Sequence, residues 1–287
     1  MRVFEELAAG SPPSTLFHYT NLEGALGIIN SDTIWASKVQ YLNDSSEYLF
    51  AIGIAELLLQ TRLEGTHNEE ERRKIGGMLR NLHGISNMNV CVCSFSEDGD
   101  LLSQWRAYAG SSGVSLGFRT EHLAAKGREQ GFTMARCVYD KDRQKELVSR
   151  LIDETLEIDF NTDEGYFDPE RTRTFVVLPT DGGFHSNLAR LAPMLKNETF
   201  REEREWRLLS PKGVDFRQMS FRSGGSIIVP YYEFDLGENK DEYLAEVVVG
   251  PTPHPSLSEA SIKSLMARWR AGTKVEVSSS KVPYRNW

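Results

Sequence analysis

The sequence predicts an α+β fold, and three observations carry that prediction. Short apolar segments of strand character come in runs rather than in strict alternation with helices. Longer segments keep helical spacing of apolar residues between good capping residues. No repeat, low-complexity tract or shift of composition marks a linker. The expectation is therefore a single domain over 16–287, with helical insertions near 64–82 and 142–196, preceded by a flexible N-terminal arm over 1–15.

Leu16 to Tyr19 reads as a strand, followed by Thr20 or Asn21 as a helix cap and by Leu22, Leu26 and Ile29 at helical spacing. Ser31-Asp32 breaks that helix before a second strand, Thr33 to Ala36. Tyr41 to Asp44 is a loop, and Asp44 or Ser45 caps a long helix over Ser46 to Leu63; the charged stretch Glu64 to Arg80 continues as a helical cover. Asn89 to Phe95 is a strand, Leu101 to Tyr108 a short helix, and Gly113 to Phe118 and Met134 to Tyr139 are further strands. A helix from Asp142 to about Phe160 precedes an irregular stretch, Asn161 to Asp181, and another helix, Phe184 to Lys196. Strands follow at Trp206 to Ser210, Ser226 to Pro230 and Ala245 to Gly250, then a helix over Leu257 to Ala271 and a last strand, Thr273 to Ser278.

Composition narrows the function classes. The 287 residues are 40% hydrophobic and 26% charged, which is ordinary for a globular protein. The start, MRVFEELAAGSPPS, has neither a basic n-region nor an apolar h-region, and no apolar run reaches the ~18 residues that span a bilayer. A cytoplasmic protein without membrane contact is expected. Cys91, Cys93 and Cys137 cannot all pair, and a zinc site would need further ligands at characteristic spacing that are not there, so reduced core thiols and no metal are expected. The formal charge of -8 argues against general affinity for nucleic acid, although Arg201, Arg204, Arg207, Arg217 and Arg222 leave room for a local basic groove.

Three constellations can carry chemistry. His18 sits on an apolar strand just before a helix N-terminus, which suits a phosphate or ribose; the alternative is a histidine tied to backbone beneath the turn. Ser94-Phe95-Ser96-Glu97 precedes Leu101 to Tyr108, where Trp105 and Tyr108 stand three apart on one helix face, either as core or as a stack for a flat ring. In Phe200 to Arg207, an extended chain would place Glu203 and Glu205 on one face, about 7 Å apart, with Arg204 and Trp206 on the other. The choice there lies between an electrostatic site and an exposed salt-bridge ladder.

Together these pieces resemble the bacterial domain-of-unknown-function 2971 family. The resemblance rests on Phe17-His18-Tyr19-Thr20, Leu22-Glu23-Gly24, Gly27-Ile28-Ile29, Trp35-Ala36 and Tyr41-Leu42-Asn43-Asp44. It continues through Ser94 to Glu97, Gln104 to Ala109, Glu203 to Arg207, Val249-Gly250-Pro251 and Val282-Pro283-Tyr284-Arg285. In the same order they are distantly similar to ADP-ribosyltransferases of the poly(ADP-ribose) polymerase, His-Tyr-Glu, type. His18-Tyr19-Thr20 matches the His-Gly-Thr pattern, with Tyr19 where that pattern has glycine. The middle tyrosine position falls near Ser94, with Tyr41 as another source of that group.

That second resemblance implies split antiparallel β-sheets with helices packed around them, and NAD as co-substrate. His18, with Tyr19, Thr20, Tyr41, Ser94, Ser96 and Trp105, would line the NAD site, and Tyr108 would stack on nicotinamide. Glu205 would stabilise the oxocarbenium-like charge as nicotinamide leaves, and Glu203 would act as the acceptor's base. The expected activity is transfer of ADP-ribose to a macromolecular acceptor, protein or nucleic acid, as in a bacterial defence or toxin-like effector. NAD hydrolysis and a non-catalytic nucleotide-sensing module are the alternatives. His18, Tyr108 and Glu205 should then meet in one cleft, within about 10 Å of each other.

Overall fold

The computed structural model describes residues 1–42, 46–80, 82–110, 112–158, 183–211, 213–268 and 275–283. Along the chain run α1 (Arg2–Ala8), β1 (Thr15–Asn21), α2 (Leu22–Ser31), β2 (Thr33–Lys38), α3 (Ser46–Gly65) and α4 (Glu69–Arg80). Next come β3 (Cys91–Ser96), α5 (Leu102–Tyr108), β4 (Gly113–Arg119), α6 (Thr120–Glu129), β5 (Thr133–Arg136), α7 (Lys141–Leu156) and α8 (Phe184–Leu191). The remainder is β6 (Glu205–Leu209), β7 (Met219–Ser223), β8 (Ile228–Asp235), α9 (Lys240–Tyr243), β9 (Leu244–Val249), α10 (Pro255–Arg268) and β10 (Glu276–Ser279). The fold is α+β, with a ten-stranded mixed sheet in which β10 and β9 pair in parallel and the other pairs are antiparallel.

Local chemistry sets the first turn of the fold. Asn21 caps α2, its Oδ1 accepting from the Gly24 amide at 2.7 Å, and Asp32 ends the helix in the left-handed region at φ 53°. A side chain on Gly24 would collide with Thr20 Oγ1 at 2.1 Å, so the Leu22-Glu23-Gly24 turn needs its glycine. Asp140 caps α7 in the same manner, accepting from the Arg143 amide at 2.8 Å.

The sheet forks at β3. One edge of β3 pairs with β6 from Val92↔Leu209 to Ser96↔Glu205. The other edge meets β2 at Cys91 and Val92, then β1 at the single pair Phe17↔Ser96. Between those contacts β1 and β2 diverge, so β10-β9-β4-β1 and β5-β6-β3-β2-β8-β7 are joined by one backbone pair. Side chains alternate along each strand. Phe95 and Trp206 therefore face one side, where they join Leu16, Ile28, Leu116 and Leu208 in a core cluster. Ser94, Ser96, Glu205 and Arg207 face the other, beside a second core built from α3, α7 and α8. Tyr19 and Trp105 form a smaller cluster under α5.

Several expectations need correction. Where a loose arm was expected, α1 packs Val3 and Phe4 into the second core. No helix was expected between Phe118 and Met134, because α6 buries only Thr120, Leu123 and Gly127, too few to show a period. The strand β7 also escapes the pattern, since Met219 is its only buried residue. The loop expected at Tyr41 begins inside a 3-10 turn, Val39–Tyr41, while Asn43, Asp44 and Ser45 lie outside the described residues. So do Asn161 to Asp181 and Thr273, and with them parts of the expected 142–196 insertion and last strand.

Candidate functional site

The candidate site forms where β6 begins. The 3-10 turn Glu198–Glu203 ends at Arg204, which takes a left-handed conformation at φ 43°, and β6 starts at Glu205. Glu203 thus precedes the strand, and the two acids do not share a pleat as expected. A third residue brings them together. Lys196 Nζ contacts both Glu203 Oε2 and Glu205 Oε2 and is itself buried. Arg207 completes the group: its Nε donates to Glu205 Oε1 at 2.7 Å, and its guanidinium also donates to the Pro193 carbonyl. The Glu205 backbone is fixed as well, its amide donating to the Tyr139 hydroxyl at 2.9 Å and its carbonyl accepting from the Cys137 amide at 2.9 Å.

The group is therefore a buried network, not an exposed ladder. Its electrostatics separate the two acids. Burial would raise the Glu205 carboxyl, but Arg207 and Lys196 outweigh it and hold the group at about 2. Burial raises Glu203 above the usual carboxylate range, and Lys196 only partly offsets that. Burial also works against the Lys196 charge, but Glu205 and Glu203 outweigh it and shift Lys196 upward. Two neighbouring carboxyl groups with separated proton affinities are a recurrent basis for acid–base division of labour.

Tyr108, the last residue of α5, stands 41% exposed beside this network. Burial of its hydroxyl and the nearby charges of Glu205 and Glu203 raise its proton affinity. The structure thus brings Tyr108 to the two acids. It does not bring His18 there. His18 sits in the fork, its ring against Phe95 at 6.0 Å between centroids, on the side of Trp206. Its Nδ1 donates to the Ser94 carbonyl at 3.0 Å, which fixes the tautomer and leaves Nε2 as an acceptor; burial lowers its proton affinity.

The remaining expected ligand residues divide clearly. Tyr19 is buried and holds the turn after β3, its hydroxyl donating to the Asp98 carbonyl at 2.7 Å and accepting from the Leu101 amide at 2.8 Å. Trp105 is buried against Tyr19, with Nε1 donating to Asp100 at 2.7 Å. Ser96 is buried and donates to the Glu203 carbonyl at 2.8 Å, so it shapes the site through backbone. Thr20 lies against the α2 turn. Ser94 is half-buried opposite Arg207. Tyr41 belongs elsewhere, because Val39 bonds to Val90 at the far end of β3, about 20 Å from Ser96 at strand rise.

Of the arginines that leave room for a basic groove, Arg201, Arg204 and Arg207 each meet a carboxylate, at Glu198, Asp98 and Glu205. Lys196 was missed, yet the run Leu191-Ala192-Pro193-Met194-Leu195-Lys196 carries a signal: one lysine ends an otherwise apolar stretch shortly before two closely spaced acids. Among the described residues no cluster of His, Cys, Asp and Glu is arranged to hold a metal ion, and no helix is long and apolar enough to cross a membrane. Two surface clefts open away from the network, one along the β7–β8 hairpin and one between α3 and α7.

Residues 104–208 match a family described as a protein of unknown function (DUF2971). Comparison with curated proteins and with solved structures finds no match. The matched span contains Tyr108, Lys196, Glu203, Glu205 and Arg207 and leaves His18 outside.

Proposed function

We propose that this chain is an NAD-consuming enzyme of the ADP-ribosyltransferase type, working at the carboxyl pair that opens β6. The observation behind the reading is that Glu203 and Glu205 share one buried ammonium, differ in proton affinity and lie beside an exposed tyrosine ring. The forked sheet is compatible with it, since Ser94 and Glu205 fall on the paired strands β3 and β6, with β1 on the other edge of β3 and His18 on the opposite face from Glu205.

In this reading the bond between nicotinamide and ribose C1′ breaks, and its electron pair leaves with nicotinamide. The acceptor nucleophile bonds to C1′ and gives its proton to Glu203, whose raised proton affinity suits a general base. Glu205 stays ionised and contributes negative potential where positive charge develops on the ribose. Tyr108 supplies a ring face for nicotinamide. His18, behind the fork, shapes the β3 edge rather than contacting the reacting atoms.

A specific observation favours a second reading, a nucleotide-binding module without catalysis: both Glu205 oxygens are already committed to Lys196 and Arg207. One experiment separates the two. Purified protein is incubated with NAD, with and without cell lysate as a source of acceptor, and nicotinamide release is followed for the native chain, Glu203→Gln and Glu205→Gln. Release that collapses in both variants supports the enzyme. Binding of NAD without release supports the module, and absence of NAD binding sinks both.

A further inference from the structure

The side of the sheet that carries Glu205 continues, strand by strand, to one exposed aromatic side chain, Trp35, packed on the buried Tyr231. Ser37 pairs with Val92 on β3 and with Tyr231 on β8, and Trp35 lies two residues along the same face of β2. Trp35 is 45% exposed, with its ring 4.5 Å from that of Tyr231 and the Arg222 guanidinium 5.8 Å from its centre. Arg222 is the unusual member. It makes no ion pair among the described residues, although Glu233 stands opposite Trp35. Its Nη2 reaches Ser37 Oγ at 3.4 Å, and its Nε is enclosed without a hydrogen-bond partner. Glu233 acts on the same Tyr231 hydroxyl as Arg222 without pairing with it, so the enclosed donor of this permanent cation is left to an anion brought by a ligand.

We infer that Trp35, Tyr231 and Arg222 form a nucleotide subsite: a purine-like ring stacks on Trp35, and its phosphate bonds to Arg222. From β6 to β8 the sheet crosses three strand spacings, about 14 Å. That span is within the length of a ligand holding two ring systems at the ends of a diphosphate, its second end directed toward Tyr108. The inference rests on the NAD reading only for the identity of that second end; the subsite itself takes ADP. Free inorganic phosphate carries the same anion chemistry and is tested beside it.

The experiment is calorimetric titration of the full chain with ADP, adenosine and inorganic phosphate, for the native protein, Trp35→Ala and Arg222→Gln, with thermal melts to confirm folding. ADP should bind the native chain, and each variant should weaken that binding by about tenfold or more. Adenosine should retain the dependence on Trp35 and lose that on Arg222, and phosphate alone should bind at least tenfold more weakly than ADP. Absence of ADP binding, or equal affinity in all three proteins, overturns the subsite. Nicotinamide release measured on the same preparations keeps the two proposals apart. Release with an ADP affinity indifferent to Trp35 and Arg222 removes the subsite and leaves the enzyme. Trp35-dependent ADP binding without release, with or without lysate, removes the enzyme and leaves the subsite.

Discussion

Two buried lysines in this molecule do different work. Lys240 meets Asp32 at 2.5 Å, and the Tyr243 hydroxyl donates to the same Asp32 oxygen at 2.7 Å. Asp32 is the left-handed residue between α2 and β2, so this group fastens a turn to α9. Lys196 is buried to the same degree but serves two carboxyl groups at once, with Arg207 behind them and Tyr108 open to solvent in front. The Lys240 group closes a joint around Asp32. At Lys196 two acids share one ammonium, and burial leaves one of them, Glu203, with a raised proton affinity.

The largest expected effect sharpens this contrast through stability. Lys196→Met leaves two buried carboxyl groups without their shared cation and should cost about 3–5 kcal/mol in urea unfolding. Lys240→Met removes a bond to an acid whose side chain is 21% exposed and should cost less, about 1.5–3 kcal/mol. Equal losses would erase the distinction between site and joint. Catalysis comes next: Glu203→Gln should lower nicotinamide release by about 10²–10⁴-fold, the usual worth of a positioned base, while Lys240→Met in folded protein leaves it unchanged.

Acid should separate the regions as well. Glu205, held at about 2 in the folded chain, contributes stability that is complete above the ordinary glutamate range and lost as pH falls toward 2. His18 and His185 are both lowered by burial, so they add a loss that begins as pH drops below the ordinary histidine value. Stability measured against pH should therefore fall in two stages, and Glu205→Gln should flatten the lower one. The smallest effect is at Tyr108, where Tyr108→Ala should change stability by no more than about 0.5 kcal/mol while weakening NAD binding by about 0.5–1.5 kcal/mol.

Much of this fold is legible from local pattern. The strand, helix and strand of β1, α2 and β2 follow from apolar spacing and from Asn21 and Asp32 at the helix ends. What escaped has little pattern to offer: α1, packed through Val3 and Phe4, and the edge strand β7 with its single buried residue. Within the site, the place of Glu205 at the mouth of a buried strand could be read from apolar Trp206, Leu208 and Leu209 after it. The left-handed turn at Arg204 and the reach of Lys196 back to both acids depend on tertiary packing. The position of His18 shows the limit most plainly. Its strand and the following helix were readable, but the side of β3 it meets depends on how β1 and β2 share one edge.

The most direct test of the central claim is the pH dependence of nicotinamide release from NAD, measured for the native chain and for Glu203→Gln. The native rate should rise with pH through an apparent pKa above the ordinary glutamate value of about 4.3, and the residual rate of the variant should lack that step. A native chain that releases no nicotinamide at any pH, or a variant with the same rate and the same profile, would contradict it.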